Sequence, residues 1–311
     1  MNLLNYSLMF LSLKHMTQAS PFFLTTNAHA HFHNINSKYF FSNFLCSSHP
    51  IDCVSCKFKN YLNSVIVLSS FNLVDQLINS QQIVSNADST VINCCFENIT
   101  HTGDGAAIWQ DTSWIKLTLN NNAFRKCVAN NGGAIYSNSQ NLVTSFDEFA
   151  ECKSTGTGAT IYVYKVPEFL NFVMEDGYVH HCESGTDSLS LYSEKSNIIG
   201  ANVTDNKSSR NAGISIKGNQ WSRTYKYINN VKNDGGYIMY IYNASRGRIA
   251  YINFVNNNAN VGFLINTPNQ TDPAQPDITY FSFAFDGNTP KDYKLIAVKK
   301  DYRITFEDCF F

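Results

Sequence analysis

One recurring slot holds Asp104, Asn131, Thr157 and Asp187, four residues before Ile108, Ile135, Ile161 and Leu191 respectively. Hydrolysis of a glycosidic bond needs two carboxyl groups held roughly 5 to 9.5 Å apart. If the slot recurs once per structural unit, Asn131 and Thr157 stand between the two acids and keep them from cooperating. Asp111, Glu148 and Glu194 are isolated surface acids. No set of acids and arginines converges by spacing on a calcium cluster or an arginine base. The acids therefore point away from an enzyme, with a polysaccharide-active lyase or glycoside hydrolase as one alternative and a degenerate repeat fragment without independent function as another.

Histidines and cysteines are the candidate metal ligands. In "AHAHFHN", His29, His31 and His33 recur at period two and would share one face of a strand, a geometry that metals accept. No cysteine or carboxylate is interleaved, so the expectation is a polar strand face with no metal and no cofactor. His180 and His181 are adjacent, should point oppositely, and read as turn residues. Cys53 and Cys56 form a single CxxC after Cys46, with no second pair to complete a zinc site. The nine cysteines are irregularly spaced, and most lie in apolar company such as "INCCFENI", where a thiol packs as a small hydrophobe.

Binding has a stronger signal. Trp109, Tyr136, Tyr162 and Tyr192 follow the four aliphatic residues above, so they should stack in one column. Facing solvent, such a column offers flat platforms for sugar rings or a protein partner; facing inward, it is an aromatic core ladder. Both faces of this strand are apolar, and the inward placement is the expectation.

The elements that must position these residues follow from a repeat. Anchors Phe96, Phe124, Phe149, Val179, Val203, Ile228, Phe254, Phe281 and Phe306 recur at steps of 28, 25, 30, 24, 25, 26, 27 and 25 residues. A second beat couples a glycine or small polar corner to a short apolar strand, as in "GDGAAIW", "NGGAIYS" and "GTGATIYV". A third extended piece, such as "SWIKLTLN", completes each unit. Three short strands per period of about 25 residues is the arithmetic of a parallel β-solenoid with coils about 4.8 Å apart. The fold class is accordingly all-β, a single-stranded right-handed parallel β-helix. Glycine supplies the positive φ of its corners, and the asparagines beside it can stack into amide ladders. Residues 70 to 84 carry the best helical pattern and read as a short capping helix.

Composition bounds the rest. The 311 residues are 44% hydrophobic and only 15% charged, with net charge -1, which supports a sizeable core and excludes nucleic acid as a partner. Residues 1–55 read as an N-terminal segment with a signal-like start and a cap, and residues 56–311 as the β-helix, without a C-terminal cap. No stretch reaches the 18 apolar residues of a membrane-spanning helix. Sequons at Asn98, Asn202, Asn206, Asn243 and Asn269 are compatible with secretion.

"GGAI" at residues 132–135 and the F-x-x-N form at Phe254–Asn257 resemble the paired GGA[ILV] and FxxN repeats of the polymorphic outer membrane proteins of chlamydiae and their protist relatives. Those proteins lie within the right-handed parallel β-helix, or pectin-lyase-like, superfamily. The resemblance covers roughly residues 56–311 and is strongest from 90 to 265. It implies adhesion or recognition at a cell surface or after secretion, with a glycan or a host or cell-surface protein as partner. The polygalacturonase-like signatures NTD, DD, GHG and RIK do not occur.

Overall fold

In the computed structural model the described residues are 88–110, 115–138, 141–164, 171–192, 195–217, 222–242, 248–266, 278–299 and 304–310, with short strands between residues 6 and 84. All of these elements are strands, and every strand pairing is parallel. The chain winds into a parallel β-helix whose coils stack as one 22-stranded and one 16-stranded sheet. The coil from residue 115 shows the plan. Lys116–Asn120 and Ala123–Arg125 lie in the first sheet, and Ile135–Ser137 in the second, after a two-residue strand at Val128–Ala129. Residues 70 to 84 are strands Phe71–Val74, Leu77–Ile78 and Gln82–Val84 and not the expected helix. Each of them pairs with the coils on both sides, and those ladder bonds override a local helical pattern.

Like residues rest on like. Phe96, Phe124 and Phe149 occupy neighbouring coils, fully buried, with ring centroids 4.8 and 4.9 Å apart and nearly parallel planes. The column continues through Val179 and Val203 to Asn230, Phe254 and Phe285. The sequence anchors Ile228 and Phe281 therefore belong to other columns, where they pair with Ile252 and Ala250, and Phe306 pairs with Tyr280. In the coil of Ile228 the reason is that Asn230 replaces an apolar residue in the column, and the apolar Ile228 stands two positions before it.

Two ladders explain the F-x-x-N motif. Asn206, Asn233, Asn257 and Asn288 stand three residues after successive anchors. Each side-chain amide donates to the Oδ1 of the next, at 3.0, 3.2 and 2.9 Å. The same amides donate to the carbonyls of Val179, Val203, Asn230 and Phe254. This closes the corner carbonyls that the strands leave open. In earlier coils Cys127, Cys152 and Cys182 fill the same place, with Sγ 3.8, 3.4 and 3.6 Å from the Phe96, Phe124 and Phe149 carbonyls. All three are buried free thiols. The Asn206 sequon is buried in its ladder, out of reach of a glycan.

Corners are less dependent on glycine than the sequence implied. Gly132 has φ +59°, and Gly133 has no room for a Cβ against the Ala159 and Lys153 carbonyls, so the doublet is forced by conformation and then by contact. The other two corners of each coil place Asn, Asp, Lys, Glu, His and even Phe146, Tyr227 and Tyr251 in the left-handed region. In-register stacking fixes the turn for every coil, and the residue type then has to tolerate it.

Two buried polar groups generate predictions. Asn230 is buried in the phenylalanine column, and neither atom of its amide has a hydrogen-bond partner among the described residues. Asn230→Val is expected to stabilise the fold by about 1–3 kcal/mol, read as a higher urea midpoint. Asp147 ends a shorter ladder: its Oδ1 accepts from the backbone and side-chain amides of Asn122 at 2.8 and 2.9 Å, while Oδ2 has no partner. Burial, against those Asn122 bonds, pushes its pKa up to about 7. Since an unfolded Asp titrates near about 3.9, its contribution is complete below that pH and is lost as pH rises through the folded value. Asp147→Asn should therefore match the parent near pH 4 and exceed it in stability by up to about 4 kcal/mol at pH 8, checked by urea melts across that range.

Candidate functional site

The second-sheet strands Ile108–Gln110, Ile135–Ser137 and Ile161–Val163 alternate buried and half-buried positions. Ile108, Ile135 and Ile161 point inward and are fully buried, so the residues between them and the next inward positions must face out. Trp109, Tyr136 and Tyr162 share one register line and are half-buried on the outer face, which corrects the expected inward placement. The aliphatic column won the interior because the small Ala107, Ala134 and Thr160 before it are buried at the tight corner. Tyr136 and Tyr162 meet edge to face at 5.9 Å, and the exposed Tyr164 joins them at 6.4 and 5.9 Å.

Tyr192 does not continue this line. Tyr162 pairs with Ser190 and Val163 with Leu191, so Tyr192 lies two residues further along the strand. The physical cause is a corner shortened by two residues. Gly105, Gly132 and Gly158 all sit at positive φ, whereas Thr186, whose hydroxyl is 2.8 Å from that of Thr157, leads straight into the strand Asp187–Tyr192. From Ser184 to Ser190 the chain has two residues fewer than from Ser154 to Tyr162, so the alignment of Leu191 on Ile161 slips by two. Asp104, Asn131 and Thr157 do line one corner: the Asn131 amide donates to Asp104 Oδ1 at 2.9 Å, and the Thr157 N–H donates to Asn131 Oδ1 at 2.9 Å. Asp104 and Asp187 remain coils apart.

The shortened coil carries a charge cluster that spacing did not reveal. Asp187 is fully buried, yet its carboxylate accepts from Arg210 at 3.2 and 2.9 Å and from Lys217 at 3.1 Å, besides the Asn211 amide. Arg210 and Lys217 keep 47% and 25% of their side chains exposed, so the pair presents cations to solvent above a buried counter-ion. Burial would lower the Arg210 pKa, but the hydrogen bond and charge of Asp187 hold it raised. Ser190 and Ser215 are buried in the line between Tyr162 and Tyr240, and Ser215 Oγ has no partner among the described residues. Burial, then Tyr164, Asp104 and Asp187, raise the Tyr162 pKa, so its phenol keeps its proton. The signal that could have found this site was the break in the glycine-corner pattern at "GTDSLS".

The other candidates resolve differently. Glu148 is not isolated: Arg125 holds it at 2.6 Å and His180 at 3.1 Å on the outer face of the first sheet. Against its burial, these two partners lower its pKa. His180 and His181 bring their Nδ1 atoms to 3.1 Å because His181 adopts φ 54°, which swings its ring to the side of its neighbour. This is an exposed ion-pair network of the kind worth ~0–1 kcal/mol. His31 and His33 lie in the strand Ala30–His33, while His29, Cys56, Asp111 and Glu194 fall outside the described residues. No group of three or more metal-ligating side chains occurs among the described residues. A polar hollow of about 370 Å³ lies along the corner beyond Arg210, lined by Glu183, Lys207, Ser208, Asp234, Asn260 and Lys291. No described helix is long and apolar enough to cross a membrane.

The sequence matches no described protein family and no curated protein. Among solved structures, the crystal structure of the periplasmic alginate epimerase AlgG is similar with a TM-score of 0.43 at 8% identity, covering 91% of this chain and 76% of that chain.

The cluster yields its own prediction. Asp187→Ala strands Arg210 and Lys217 beside a vacated buried site; because both cations reach solvent, the loss should be about 2–3 kcal/mol and not the larger penalty of a fully buried pair. Arg210→Gln should cost less than half of that, since Lys217 remains to neutralise the carboxylate. Chemical denaturation of the two variants beside the parent measures the difference.

Proposed function

We propose that the protein is a non-catalytic recognition module that binds glycan chains on the outer face of its second sheet. The observation that carries this reading is the outward line Trp109, Tyr136 and Tyr162, widened by Tyr164, on coils locked in register by buried isoleucines. Rings repeated at coil spacing on a rigid sheet suit the apolar faces of successive sugars, because the platform loses little freedom on binding. The resemblance of the GGAI and F-x-x-N repeats to surface-displayed β-helix proteins supports display at a cell surface or after secretion.

A second reading, a polysaccharide-active enzyme, is favoured by Asp187, Arg210 and Lys217 standing near a protonated Tyr162. Such a site could neutralise an acidic sugar and offer a phenolic proton. Paired-carboxylate hydrolysis is not supported, because Asp187 is buried and paired with Arg210 and Lys217, while Asp104 stands coils away, held to the Asn131 amide.

Glycan-array binding and sugar release from polygalacturonate separate the two. Each ring is worth about 0.5–1.5 kcal/mol, so Tyr136→Ala combined with Tyr162→Ala should weaken glycan binding about tenfold or more without unfolding the chain. No release of sugars is expected. Release that disappears cleanly in Asp187→Asn would replace this reading with the second.

A further inference from the structure

The first sheet carries a second aromatic feature, at a corner and away from the Trp109 line. In-register corners of successive coils place Asn93, Asn121, Phe146, Asp176, Gly200, Tyr227, Tyr251 and Ser282 in the left-handed region. Asn, Asp and Gly tolerate that conformation; a tyrosine there is strained by roughly 1 kcal/mol or more. Core packing does not explain the choice, because Tyr227 and Tyr251 are 56% and 41% exposed. Their rings stack on each other at 4.9 Å with planes 6° apart, an ordered pair held up to solvent. Strain kept at an exposed site, where Asn93 and Asn121 show that asparagine serves at the same corner of earlier coils, is a mark of function.

The surroundings define the ligand. Two residues on from this corner, Asn202, Asn229 and Asn253 form a half-exposed amide ladder, each Nδ2 donating to the Oδ1 below at 2.8 Å. Tyr178, 52% exposed, stands at the foot of that ladder. Every rung keeps one N–H and an oxygen lone pair to offer outward, the donor and acceptor pair that adjacent hydroxyls match. One coil below Tyr227 the corner is Gly200, so no side chain of that coil covers the ring, and the Asp176 carboxylate leans over the glycine as a further acceptor. Glu175 and Asp176 are both exposed here and disfavour a polyanion.

We propose that Tyr178, Tyr227 and Tyr251, with the Asn202, Asn229 and Asn253 ladder, form a second binding surface that takes an uncharged glycan chain lying along the helix axis. Tyrosine faces stack on the sugar rings, and the amides meet the hydroxyls coil by coil. The surface is on a different sheet from the Trp109 line and stands whether or not that line binds.

The test replaces the tyrosines with the residue that the same corner uses elsewhere. Tyr227→Asn combined with Tyr251→Asn keeps the turn and relieves its strain, so the thermal midpoint should hold or rise. Titration calorimetry with cellohexaose, mannohexaose and xylohexaose should show at least one ligand bound by the parent and weakened tenfold or more in this variant. Tyr136→Ala combined with Tyr162→Ala should leave that ligand's affinity unchanged, which separates failure of this surface from failure of the second-sheet reading. The proposal is overturned if the parent binds none of the three, if the asparagine variant binds as the parent does, or if that variant loses stability along with affinity.

Discussion

Everything in this molecule depends on one constraint: each coil hydrogen-bonds to the next through parallel ladders, so equivalent residues must lie on top of one another. A displaced residue would turn its side chain to the opposite face and break the ladder for both neighbours. Corners therefore repeat their backbone angles from coil to coil, and even Lys126, Glu151 and Tyr251 accept a left-handed conformation to keep the register. The same stacking turns single side chains into columns. A phenylalanine becomes a ring stack, and an asparagine becomes a ladder that closes carbonyls along the axis.

Repetition also lets substitutes be recognised by their place. The cysteines at 127, 152 and 182 stand where later coils have asparagine, and their sulfurs approach the carbonyls that the amides otherwise bind. A thiol is a weaker donor than an amide but fills the corner without adding an unpaired polar group. Asp147 and Asn230 are the opposite case, polar groups placed in columns that cannot satisfy them fully.

Surface chemistry arises where the pattern is interrupted. After the coil of Gly158 the second-sheet corner is two residues shorter, the aromatic line gives way to Ser190 and Ser215, and Asp187 is buried beneath Arg210 and Lys217. At the first-sheet corner two tyrosines replace the small polar residues of neighbouring coils. A regular scaffold thus carries two faces of different character, one with a charged cluster at its end and one lined with amides.

The period and the strand-forming composition were enough to define stacked coils, and Phe124 and Phe149 could be assigned to adjacent layers from spacing alone, because hydrophobic anchors and glycine corners repeat locally. Spacing alone misplaces the columns where Asn230 replaces an apolar anchor and where the corner before Asp187 is two residues short, since nothing local marks an omitted residue. Which side of a strand faced water was decided only by the folded chain: when both columns are apolar, the tight corner and the volume available inside determine that isoleucine enters and tyrosine stays out. The partnership of Asp187 with Arg210 and Lys217 was likewise set by tertiary structure, because residues 23 and 30 positions apart become neighbours only when coils stack.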